Sequence, residues 1–230
     1  MANGGHRAGL AAKVAKRKAI VAEKKRLERW ATSLKGRVAV ASSSPITRCL
    51  QSRELFSIGM GYVVVASRLS SGLMACAYFL VDAYCLGVKD VTYREDTQAE
   101  FEESLELLSS AETLIDIEPC CARKILVDAV AYAAACGIGP AKDFVKVEKI
   151  LATVDSHLCA QTFTFGQDGK PFYVQGPSDS PHRIRQIVTT LNQRLGPDGW
   201  NFMVEADHDD DDDHDDRVDD LPPRLAVDPA

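Results

Sequence analysis

The sequence has no apolar run long enough to cross a bilayer. Its most apolar stretch, Leu73–Val81, holds nine consecutive apolar residues, far short of the ~20 a spanning helix needs. The N-terminus lacks the apolar segment of a secretion signal, which points to the cytoplasm. No C-x-x-C pair is present, so spacing defines no zinc site. No Walker lysine or glycine-rich nucleotide signature is present either, and no cofactor is implied. The seven cysteines are odd in number and lie mostly inside apolar segments. They read as buried thiols of a reducing compartment. Cys120 and Cys121 are adjacent, and on a helix they point about 100° apart. A Cys–His nucleophile pair using His157 or His182 has no motif behind it.

What is present is a core between two oppositely charged ends. The net charge is −6, but residues 1–37 carry eleven Lys or Arg against Glu23 and Glu28. Residues 205–230 carry twelve Asp or Glu against Arg217 and Arg224. This division marks a basic arm and linker at 1–45, one α+β domain at 46–204 and an acidic tail at 205–230. The tail is too polar to bury anything, so it reads as disordered. His208 and His214 stand among its aspartates and give it no fixed metal geometry.

The domain is organised around Gly61–Arg94. Tyr62, Val63, Val64 and Val65 suit a pleated, packed surface. Ser70-Ser71-Gly72 supplies a turn, and Leu73–Tyr84 then reads as a strand covered on both faces. Gly87 marks a bend or bulge before a short third strand. Such a meander needs helices packed on it. Thr97 and Glu100 form a capping box for the first. Pro119 opens a second, apolar nearly all round, as a central buried helix. Pro140 starts a third, with Phe144, Val147, Leu151 and Val154 at helical spacing. Ser180-Pro181 caps the last, and Gly196-Pro197 stops it. The alternating Thr162–Phe165 and Phe172–Val174 around Asp168-Gly169 read as a hairpin extending the sheet. Trp200, Phe202 and Val204 alternate as a closing strand. The expected fold is α+β, an antiparallel sheet of meander plus hairpin packed by about four helices, mainly on one side.

Two runs resemble segments of uncharacterised bacterial hypothetical proteins. They are Phe79–Asp90 (FLVDAYCLGVKD) and Phe163–Tyr173, with Phe163-Thr164-Phe165-Gly166 and Asp168-Gly169-Lys170-Pro171-Phe172-Tyr173. That resemblance covers the core between the tails and implies no activity and no site residues.

Three constellations can carry function. The arm, a helix from Leu10 to Leu34, presents Lys13, Lys16, Arg17, Lys18, Lys24, Lys25, Arg26 and Arg29. Such a basic run docks on the phosphates of RNA or DNA, or meets another protein together with the acidic tail. Ser180, His182, Arg183 and Arg185 sit at a helix start, where free amides and guanidinium groups suit an anion. Asp179 or solvent could equally meet those charges. Asp82 and Asp90 crowd the end of the meander with Glu95, Asp96 and Glu100. Three antiparallel strands and a helix also begin the ribonuclease-H-like fold, whose paired carboxylates hold metal ions for phosphodiester cleavage. The first strand here lacks the acid such an enzyme needs. A non-catalytic, nucleic-acid-associated protein is therefore the leading expectation. A metal-dependent phosphodiesterase and a structural partner protein are the alternatives.

Overall fold

A computed structural model describes Lys18 and residues 22–176 and 179–203. It shows an α+β fold built on a five-stranded antiparallel sheet. The strands are β1 (Ile46–Ser52), β2 (Met60–Arg68), β3 (Met74–Asp82), β4 (Gly87–Asp96) and β5 (Leu114–Asp116), in the order β4-β3-β2-β1-β5. The meander has the turns expected of it. Gly72 and Gly87 take φ of +88° and +68°, a region open to glycine at little cost. The third strand is not short but ten residues long. Its pairing shifts between Leu80 opposite Asp90 and Val81 opposite Val88, which leaves Lys89 as the extra residue of a bulge.

The helices are α1 (Leu34–Ser42), α2 (Leu55–Ile58), α3 (Gln98–Ala111), α4 (Pro119–Ala135), α5 (Phe144–Val147) and α6 (Pro181–Leu195). Alternation along the strands sends Val63, Val65, Ala75, Ala77, Phe79 and Val81 to one face. There they bury against Val38 and Ala41 of α1, Ile125 and Ala129 of α4, and Phe144 of α5. Val64, Ala66, Met74, Cys76 and Tyr78 face the other way, against Phe101 and Leu105 of α3. The sheet is thus covered on both faces, with most helices on one. A second cluster joins Cys85, Leu86 and Ala133 to Tyr173, Ile187, Leu191 and Trp200, and so docks α6 onto the end of α4. No helix among the described residues is long and apolar enough to cross a membrane.

Several expectations are corrected. Residues 22–32 are helical, but the helix breaks at Ser33. The Ser33 side chain accepts a hydrogen bond from the Gly36 amide and starts α1. Val38 and Ala41 are core residues, so the chain joins the fold before Ile46. The helix α4 is not buried all round: Ala131, Ala134 and Ala135 are exposed. The segment after Pro140 gives only the short α5 and a 3-10 turn, Glu148–Leu151. The expected hairpin does not extend the sheet. Gln167 and Lys170 close the Asp168-Gly169 turn, but Thr162–Phe165 forms no strand. Instead β6 (Phe172–Val174) pairs in parallel with β7 (Asn201–Met203). The phenyl rings of Phe163 and Phe165 pack on Phe56, so apolar burial rather than strand pairing fixes that segment.

Cysteine usage is also corrected. Cys121 and Cys159 form a disulfide. Cys49, Cys76, Cys85 and Cys136 are buried free thiols, and Cys120 is free and half-buried.

Candidate functional site

A cleft of about 690 Å³ opens where β3 and β4 meet the loop at 139–142 and the start of α6. Lys89, Asp90, Lys142, Asp179 and Arg183 bring charge to it, and Met60 and Leu80 supply an apolar wall. The β-bulge in β4 re-aims Lys89 toward Asp179. Its ammonium lies 3.1 Å from the Asp179 carboxylate, and both side chains are largely buried. The same carboxylate accepts hydrogen bonds from the Gly176 amide at 2.9 Å and the Tyr173 hydroxyl at 3.2 Å. Burial alone would raise the pKa of Asp179. The Gly176 amide, Lys89 and Tyr173 outweigh it and hold the group below the usual carboxylate range. Burial first, and then the Asp179 charge, push the Tyr173 phenol up. Asp179 therefore answers Lys89 rather than the cations of the helix start.

The anion set read from the sequence is split by helix geometry. The Ser180 hydroxyl accepts from the Arg183 amide at 3.3 Å and is spent as the N-cap of α6. Arg183 lines the cleft. His182 and Arg185, three residues apart on another face, border a separate shallow surface with Gln186 and Thr189. The carboxylates divide as well. Asp90 is exposed and lines the cleft, whereas Asp82 does not. Asp82 is buried, and its Oδ1 accepts from the Tyr84 amide at 3.0 Å and the Cys85 amide at 2.8 Å. Burial pushes Asp82 up to about 6, against the pull of those amides and of Lys89. It closes the β3–β4 turn.

Among the described residues, the cleft lining holds no serine, threonine, cysteine or histidine. It offers lysine, arginine and aspartate side chains beside an apolar wall. No three carboxylate or histidine groups gather to hold a metal among the described residues; the set that gathers is Cys120, Cys121 and Cys159. Spacing alone hid that set, because Cys120 and Cys121 are adjacent and Cys159 lies thirty-eight residues beyond Cys121.

The basic residues lie elsewhere. Lys13, Lys16 and Arg17 fall outside the described residues. Lys18, Lys24, Lys25, Arg26 and Arg29 are all exposed. Arg26 pairs with Glu23 at 2.6 Å and Lys24 with Glu28 at 3.8 Å. Lys25 and Arg29, one helical turn apart, have no carboxylate partner among the described residues. Leu27 and Trp30, three residues apart, are exposed on another face of the same helix.

No protein family, curated protein or solved structure matches the chain. The functional reading therefore rests on the residues themselves.

Proposed function

We propose that the protein is a non-catalytic, nucleic-acid-associated protein whose basic arm grips the phosphate backbone of RNA or DNA. One observation carries this reading. Lys25 and Arg29 stand on one exposed helical face ahead of the core, without carboxylate partners among the described residues, and Trp30 is exposed about a third of a turn round the same helix. Such cations displace condensed counterions from phosphates, and an exposed indole can stack on an unpaired base. The arm as a whole carries more charge than this segment, since Arg7, Lys13, Lys16 and Arg17 precede it. A cytoplasmic setting belongs to the reading, because five of the seven cysteines carry free thiols.

The test compares the full chain with a variant in which Lys18, Lys24, Lys25, Arg26 and Arg29 are all changed to Gln. Fluorescence anisotropy on single- and double-stranded oligonucleotides is read across a salt series. The wild type should lose affinity linearly in log–log form. The variant should bind more weakly, with a slope shallower by about one for each phosphate it no longer neutralises. Equal binding by the two proteins, or no binding by either, overturns the reading.

A further inference from the structure

The sulfur atoms of Cys120, Cys121 and Cys159 all lie within 4.8 Å of one another. Two of them are joined as a disulfide, and the third stands beside it as a half-buried free thiol. A disulfide that only staples a core gains nothing from a third sulfur at that distance. We propose that the three cysteines form a redox-gated site for one thiophilic divalent cation of the zinc class.

The geometry fits such an ion. Zinc–sulfur bonds of about 2.3 Å place tetrahedral thiolates about 3.8 Å apart, so small side-chain rotations close the set once the disulfide opens. Cys120 and Cys121 follow Pro119 in the first turn of α4. Although adjacent residues point about 100° apart on a helix, their sulfurs lie within 4.8 Å of each other and of Cys159.

The third ligand is positioned by other means than the disulfide. The Arg123 guanidinium, on α4, donates to the carbonyls of Leu151, Ala152 and Val154. The Asp155 carboxylate accepts from the His157 amide at 2.9 Å, and the Cys159 amide donates to the Ser156 carbonyl at 3.2 Å. These bonds fasten the segment leading to Cys159 to α4 through contacts that do not involve the disulfide. Cys120 remains half open to solvent, so water takes the fourth position. Cys49 is buried and lies outside the set whose sulfurs gather within 4.8 Å.

The two states interconvert with balanced chemistry. A dithiol reductant delivers two electrons and two protons, breaks the Cys121–Cys159 bond and leaves as its own cyclic disulfide. The cation then binds as three thiols release three protons to solvent and three metal–sulfur bonds form. A disulfide oxidant of the same exchange class reverses the sequence, removing two ligands and expelling the ion.

The experiment uses the full chain, reduced with a phosphine and freed of it without air, then titrated with Co²⁺. Thiolate-to-cobalt charge-transfer absorption should saturate at one equivalent with the intensity of three thiolates, and Zn²⁺ should displace it. Cys120→Ser should lose about one third of that intensity and weaken Zn²⁺ binding by at least about 100-fold, since changes beyond the ligand shell alone cost ten- to a hundredfold. Cys49→Ser should match wild type, and oxidised wild type should bind nothing. In parallel, one equivalent of Zn²⁺ should slow alkylation of Cys120 in the reduced wild type, read by peptide mass. No charge-transfer band, undiminished Zn²⁺ affinity in Cys120→Ser, weakened binding in Cys49→Ser, binding by the oxidised protein or unprotected Cys120 each overturns the proposal.

Discussion

Two buried carboxylates set opposite pH limits on the fold. Asp179 is ionised and held below its ordinary range, so its contribution is present above the unfolded carboxylate pKa and is lost as acid protonates it. Asp82 behaves in the reverse sense. Its folded pKa is raised to about 6, so its contribution is complete below about pH 4 and gone above about pH 6. A rise of that size corresponds to about 3 kcal/mol. Because the Tyr84 and Cys85 amides both reach Oδ1, an amide side chain can keep them while discarding the charge. Asp82→Asn is therefore expected to flatten the stability profile between pH 4 and 6, and to match or exceed wild type at pH 7. Urea unfolding across pH 4–8 reads this directly. A variant that parallels wild type at every pH would show that the Asp82 charge costs nothing. The sequence named Asp82 for its carboxylate; only the fold shows that carboxylate spent on a turn. Lys89 lay in plain view too, but its pairing with Asp179, ninety residues on, depends on a bulge that no local pattern announces.

At the scale of elements, what was legible followed local chemistry. Val-rich strands, the Ser70–Gly72 turn, the Thr97–Glu100 capping box and the Ser180-Pro181 cap each depend on neighbours within a few residues. What escaped depends on distant partners. The three residues of β5 become a strand only by pairing with β1, and β6 finds its partner in β7, not in Thr162–Phe165. The helix α1 was hidden because its Leu34 looked like the end of the basic run. The helix α4 shows how composition misleads, since alanine lines both its faces. Ala133 is buried between β4 and α6, whereas Ala134 is exposed. A Cβ on Gly87 would come within 2.8 Å of Ala133 and 2.7 Å of the Ala129 carbonyl, so the helix sits as close to the sheet as backbone allows. Ala133→Glu then has neither room nor a partner for its charge, and should cost several kcal/mol. Ala134→Glu, one residue on, should stay within about 0.5 kcal/mol of wild type. Equal thermal midpoints for the pair would mean that α4 packs by a different face.

Across the whole molecule, charge is segregated more sharply than the net value of −6 suggests. Cations concentrate before the core and acids after it, and the last 26 residues carry twelve acids against two arginines. A tail tethered to the same chain acts on the arm at an effective concentration of about millimolar, set by its reach. It is therefore expected to compete with phosphate for the same lysines and arginines even when weak as a free peptide. Removing residues 207–230 should tighten oligonucleotide binding by on the order of tenfold at low salt. The gain should shrink as salt rises, because screening weakens the arm's attraction to tail and phosphate alike. Adding the tail back as a separate peptide should restore little of the inhibition at micromolar concentration, since the tether supplies most of its strength. Anisotropy titrations of the full chain, the tail deletion and the deletion plus peptide, at two salt concentrations, separate these effects. If the deletion binds no tighter than the full chain at low salt, the tail does not meet the arm, and the charge division serves separate partners.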